Sequence, residues 1–241
     1  MTSPLTATPA RADATPVHLR SAATWSLVGG LAHAAFAAAG VATSGPLAPV
    51  QNWEYAADTV LAYRGAGLLF SLLILVWALG YGVALIALGR LVWATGTMPG
   101  SISRAAGVAT GTLIALTGGI TLALYSGATA DLIESGADVP AQQAAMQAAW
   151  IVLHGAWYAA GWIVSAWFVA FAVAAFRGRL FRALGLVLLL LAALSALVTI
   201  LFTAYPTSLP LVSLSLVVMG VVLRVRAARA TRGGRPVDAP A

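Results

Sequence analysis

An all-α, polytopic membrane helix bundle, with six transmembrane helices and both termini cytoplasmic, is the fold this sequence predicts. Three observations lead there. Of 241 residues, 61% are hydrophobic and only 8% are charged, against about 25% charged in a soluble domain. Too few polar groups exist to cover a water-facing surface, so lipid has to be the main solvent. Six apolar runs recur along the chain, divided by polar, Gly- or Pro-containing segments. The charges alternate between those segments: twelve of the thirteen Arg lie in one set and five of the seven acids in the other.

The elements follow in order. Residues 1–20 are polar and Pro/Thr/Ala-rich, with Arg11, Asp13, His18 and Arg20, and predict a disordered cytoplasmic tail. The transmembrane domain then spans 21–226. Its first helix is about Ala22–Ala42, long enough for a hydrocarbon core of ~30 Å at ~1.5 Å per residue. A polar segment with Pro46, Pro49, Gln51 and Asn52 leads to helix 2, about Ala57–Val92, which exceeds one span and so projects or tilts. The Gly-rich segment Thr95–Ser103 ends it, with Ser101 placed to cap helix 3, about Ala105–Ser126. Gly107 and Gly111 in that helix form a small-xxx-small pair suited to close packing. An acidic loop carries Asp131, Glu134 and Asp138 and ends at Pro140. Helix 4, about 142–176, begins polar and becomes apolar; Arg177-Gly178-Arg179 turns the chain into helix 5, about 180–202. A turn from Tyr205 to Pro210 precedes helix 6, about 209–224, whose apolar run is Leu211–Leu223. Residues 227–241 predict a disordered basic cytoplasmic tail.

Orientation follows from the Arg residues. Arg11 and Arg20 precede helix 1, Arg90 and Arg104 flank the 2–3 segment, Arg177, Arg179 and Arg182 mark the 4–5 turn, and Arg224, Arg226, Arg229, Arg232 and Arg235 follow helix 6. The positive-inside rule makes this side cytoplasmic. Glu54, Asp58, Asp131, Glu134 and Asp138 then face outward, and only Arg64 breaks the pattern. The Ala/Gly/Arg-rich composition without Lys points to a bacterial source and so to the bacterial cytoplasmic membrane. A cleaved signal peptide is the competing assignment for helix 1, with Ala-x-Ala sites near Ala38–Ala42; the length of the run favours an uncleaved span.

Composition also excludes. With no Cys there are no disulfides, thiolate metal sites or cysteine nucleophiles. The net charge of +6 is spread over loops and a tail rather than one folded face, so anionic headgroups rather than nucleic acid are the expected partner. No phosphate loop, nucleophile elbow or dinucleotide fingerprint occurs, and no cofactor or metal is expected.

The polar residues inside the runs are the candidate sites. His33 lies thirteen residues past Arg20, roughly 20 Å along helix 1 and near mid-membrane. It is either a neutral histidine bonded to a carbonyl or hydroxyl of a neighbouring helix, or a functional group, the default assignment for an ionisable residue at that depth. Gln143, Gln147, Trp150, His154 and Trp157, spaced 4, 3, 4 and 3, share one helix face near the outer interface. They form either a hydrated interfacial belt or the wall of an outward pocket. The two histidines differ by roughly 15 Å in depth, which excludes a shared bis-His haem. Arg64 sits beside the outer acids, either snorkelling or paired with Glu54, Asp58 or the acidic loop. Trp77, Tyr81, Trp162 and Trp167 lie deep; Trp77 and Tyr81 are one turn apart on one face, as are Tyr158 and Trp162. With His33 and Ser165 they either line a cavity or fill space between Ala/Gly-rich helices.

The order of parts resembles a family of small bacterial six-helix integral membrane proteins of unknown function. The resemblance rests on a long outer 1–2 segment, the acidic 3–4 loop, and Phe176-Arg177-Gly178-Arg179-Leu180 followed by Ala183-Leu184-Gly185 and the Leu-rich 186–191. It covers about 22–226 and implies no catalytic residues. Three functions stay open. The first is a protein that binds a lipid, a small apolar ligand or a membrane partner. The second is a membrane-embedded enzyme acting on a lipid or isoprenoid, with Glu54, Asp58 or His154 as acid and Trp150, Trp157 or Trp162 as wall. The third is a small transporter, which would need a polar path from His33 to His154. Oligomeric state is not readable from the sequence.

Overall fold

The computed structural model describes residues 15–44, 64–126, 128–177 and 208–233, with 187, 189–191 and 193–194. Every element among them is a helix: α1 Pro16–Ser44, α2 Arg64–Val92, α3 Met98–Ser126, α4 Ala128–Glu134, α5 Val139–Arg177 and α6 Ser208–Gly233. Four stretches, Pro16–Ala39, Leu68–Val92, Met98–Leu124 and Val139–Arg177, are long and apolar enough to cross a membrane. The segment expected to form the fifth span, 180–202, falls almost wholly outside the described residues; the few of its residues that are described are helical.

Helix ends differ from the expected ones because caps, not hydropathy, set them. α1 starts at Pro16 rather than near residue 22, so residues 16–20 belong to a helix instead of a disordered tail. Thr15 is its N-cap, accepting from His18 N–H at 3.4 Å, and Pro16 fills the first helical position, where no amide proton is needed. α3 starts at Met98, and its cap is Thr97, whose hydroxyl accepts from Gly100 N–H at 3.3 Å. Ser101, expected to cap, sits one turn inside. The acidic loop is itself partly helical: Asp131 and Glu134 lie in α4. That helix closes on Gly136, at φ 77°, with Ala137 N–H donating to Leu132 O at 3.4 Å, a left-handed stop that glycine adopts at no steric cost. Asp138 then caps α5, accepting from Ala141 N–H at 2.9 Å. α6 runs on to Gly233, past the expected boundary at 226, because Ala227 is still buried against the core.

The helices pack in antiparallel pairs. α1 meets α2 where Gly29 faces Gly80, with His33 over Trp77 and Phe36 edge-on to Phe70. α2 meets α3 where Gly82 faces Gly107 and Gly111, the two glycines singled out by spacing, and where Gly89 faces Ser103. α3 meets α5 at Thr117–Trp157 and Ser103–Trp167. α1 meets α6 where Gly30 abuts Ser213 and Gly220 abuts Ala23. In each pair one residue number rises as the other falls, so α1 and α3 run one way and α2, α5 and α6 the other. The core is one cluster, with Trp77, Tyr81, Phe168, Phe171, Leu85 and Leu88 fully buried. Leu68, Leu72, Leu75, Leu79, Val108 and Ile151 are about as apolar but exposed. Apolar side chains both inside and outside identify a surface built for lipid rather than water.

Candidate functional site

The most polar point of the buried core is built from three helices. α1 brings His33, α2 brings Tyr81 and α6 brings Ser213; they are 7%, 0% and 5% exposed. Ser213 Oγ hydrogen-bonds both His33 Nδ1 and the Tyr81 hydroxyl. A hydroxyl has one proton and two lone pairs. A run in which Tyr81 donates to Ser213 and Ser213 donates to Nδ1 of a neutral His33 therefore accounts for both contacts, with the imidazole proton on Nε2. The imidazole stacks on the Trp77 indole, with ring centroids 4.1 Å apart and planes 15° apart. Phe36 also stacks on that indole, at 5.8 Å, and meets Trp157 edge-on at 6.5 Å.

Depth explains why the three meet. Tyr81 lies nine residues before Arg90, Ser213 eleven before Arg224 and His33 thirteen after Arg20. These are roughly 14, 16 and 20 Å along antiparallel helices from one Arg-bearing end. The close backbone approach of Gly29 to Gly80, and of Gly30 to Ser213, leaves no room for side chains there and sets the polar groups within bonding reach. Chemically this arrangement is a clasp. Ser213 has His33 as a potential base, but its hydroxyl is held on the other side by Tyr81 and sits within a continuous helix. Those helix amides are already bonded, so they form no oxyanion site.

The remaining candidates divide. Trp77 and Tyr81 join His33 as expected. Trp162 does not: it is 47% exposed, on the outward face of α5. Trp157 turns inward, and its indole N–H donates to Thr117 Oγ1 at 3.1 Å. His154 is half-buried and edge-on to Trp157 at 5.7 Å. Between His33 and His154 the described structure places the Phe36 and Trp157 rings, an apolar contact rather than a polar path. Trp150 lies in α5 and Arg64 begins α2, but neither side chain is among the described ones. Glu54 and Asp58 lie outside the described residues. Ser165 is buried without a hydrogen-bond partner, as are the Ser26 and Thr110 hydroxyls and the Trp77 indole N–H beneath His33.

Sequence reasoning missed Ser213, Ser103 and Thr117. Each looks unremarkable alone, a small hydroxyl in an apolar helix. The available signal was pairing: His33, Trp167 and Trp157 each need a partner when buried, and hydroxyls at matching depth on other helices were the only supply.

A second feature lies on the lipid-facing side. α2 and α3 leave an open apolar groove of about 350 Å³, lined by Leu75, Ala78, Leu79, Val83, Ile86 and, across it, Val108, Thr112 and Ala115, with Gly82, Gly107 and Gly111 as its floor.

Fold and site together define a class: a helical membrane protein with a buried His–Ser–Tyr cluster between helices and an external groove. Comparison of the chain with models of protein families, with curated proteins and with solved structures returns no match.

Proposed function

We propose that this is a six-span protein of the bacterial cytoplasmic membrane, with both termini on the Arg-rich cytoplasmic side, that binds a lipid or small apolar ligand without catalysis. The topology is supported by the pairing directions. α5 ends at Arg177 at the same end where α1 begins, whereas α6 starts at the opposite end. The intervening 178–207 therefore has the full thickness to cross, which fits an apolar span at 180–202. Arg20, Arg90, Arg104, Arg177 and Arg224 all lie at one end of the described helices and all are exposed, as a cytoplasmic face requires.

The binding role is carried by one observation, the apolar groove between α2 and α3. The polar clasp, by contrast, is buried and its Ser213 hydroxyl is engaged on both sides, which favours support over chemistry.

The test is photocrosslinking of the full chain, in mild detergent, with a phosphatidylcholine bearing a photoactivatable acyl chain. Adducts should concentrate on residues 75–86 and 107–115, and Ala115→Phe, which fills the half-buried rim, should lower them several-fold. Adducts spread evenly over α1, α5 and α6, unchanged by that substitution, would remove the groove as a site.

A further inference from the structure

A second, shallow surface cleft of about 10 Å³ adjoins the groove at Ile86, which lines both. It is bounded beyond Ile86 by Gly89, Arg90, Trp93, Thr95, Gly100, Ser103 and Arg104. Arg90 lies in the last turn of α2 and Arg104 in the second turn of α3, and both are exposed. The described carboxylates Asp131, Glu134 and Asp138 all belong to α4 or the start of α5, at the other end of these helices. Among the described residues, then, two guanidinium groups share one cleft with no acid facing them. Like charges held together favour an anion from outside, and guanidinium is the side chain best shaped for phosphate.

Length supplies the rest. From Ile86 to Leu75 the groove covers eleven residues, roughly 16 Å at the helical rise. That is about one leaflet of a hydrocarbon core of ~30 Å. A cationic cleft at the interface, continuous with an apolar furrow one leaflet deep, matches an amphiphile with an anionic head. Trp93 beside the cleft is a residue suited to headgroup level.

We propose that the α2–α3 face binds an anionic glycerophospholipid of the Arg-bearing leaflet, with its phosphate held by Arg90 and Arg104 and one acyl chain laid along the groove. This rests on the groove reading above and adds the class of ligand.

The experiment titrates the full chain in a neutral detergent with phosphatidylglycerol, phosphatidylcholine or inorganic phosphate, read by native mass spectrometry. Phosphatidylglycerol should bind roughly tenfold to thirtyfold more tightly than phosphatidylcholine. Arg90→Gln with Arg104→Gln should erase most of that preference, weakening phosphatidylglycerol far more than phosphatidylcholine, whose phosphate is already paired with its own choline cation. Arg224→Gln with Arg229→Gln removes equal charge from the same end and should preserve it. If the cleft pair leaves the preference intact, or the α6 pair abolishes it equally, the charge is a diffuse surface potential and the site is overturned. Inorganic phosphate binding as tightly as phosphatidylglycerol would overturn the lipid assignment. Ala115→Phe separates the two proposals. Loss of both lipids there, with no preference for either lipid in the parent, sinks only the headgroup site. Retention of both sinks the groove and this inference with it. Arg104→Gln alone, a milder change, should still show a several-fold drop should the double variant not fold.

Discussion

Gly80→Ala sets two physical effects against each other. Ala is the better helix former by about 1 kcal/mol, so propensity alone predicts a gain. The structure predicts a loss. A Cβ at Gly80 would stand 2.5 Å from Gly29 N and 3.1 Å from Val28 C, both backbone atoms. Ordinary carbon contacts begin near ~3.5 Å, so α1 and α2 would have to part by roughly 1 Å. No rotamer relieves a backbone clash, so the overpacking cost of about 1–3 kcal/mol should fall in its upper half. Net destabilisation of about 1–2 kcal/mol is expected. Gly119→Ala and Gly155→Ala are the controls: a Cβ at either position meets nothing within 4 Å, so the propensity gain of up to ~1 kcal/mol should appear undiminished. The assay is reversible unfolding in mixed micelles of mild detergent and dodecyl sulfate, followed by helical circular dichroism. Gly80→Ala proving as stabilising as Gly119→Ala would refute the α1–α2 seam.

Two further predictions concern the clasp and the topology. Ser213→Ala takes the shared hydroxyl from His33 and Tyr81; membrane hydrogen bonds average ~0.6 and reach ~1.7 kcal/mol, so losing two should cost about 1–3 kcal/mol in the same assay. Ser101→Ala, on an exposed position of α3, should be neutral, and equal stability of the two variants would show that the clasp contributes nothing. Because the chain has no Cys, single-Cys variants report topology directly. In intact cells a membrane-impermeant maleimide should label Asp138→Cys but reach Arg104→Cys and Arg229→Cys only after permeabilisation; labelling of Arg229→Cys from outside would reverse the proposed orientation.

Four of the six expected apolar spans, the small-residue contact at Gly107 and Gly111, and the meeting of His33 with Trp77 and Tyr81 were legible because each follows from length, spacing or depth along a single helix. What stayed hidden depends on rotation about the helix axis. Beyond His154 α5 is apolar on every side, so periodicity could not say which face turns inward there. Trp162 shared a face with Tyr158 by spacing, yet the buried side is the one carrying Ala160, Val164, Trp167, Phe168 and Phe171. Ser213 was invisible for the same reason. In a run of Leu and Val its importance depends on what lies opposite, and α6 is paired with a helix almost two hundred residues earlier. The caps at Thr15, Thr97 and Asp138 were local signals, but an apolar-run criterion looks past them because it scores side chains and not orphan amides.

Lipid tails solvate Leu as well as a neighbouring helix does, so apolar matching alone does not hold these helices together. Two devices remain, and every described seam of the long helices uses at least one of them. Backbone approach at Gly joins α1 to α2, α1 to α6 and α2 to α3. Side-chain hydrogen bonds join α1, α2 and α6 through Ser213, and α5 to α3 through Trp167 N–H on Ser103 at 2.8 Å and Trp157 on Thr117. The α2–α3 seam has the first device with little of the second. Ser103 does donate across it to Leu85 O, but at a long 3.5 Å. Its strength therefore rests on bare backbone at Gly82, Gly107 and Gly111, and the same missing side chains leave the furrow outside it unfilled. Seam and groove are thus one structural choice: a larger residue at Gly111 would fill the furrow only by forcing apart the helices that form it.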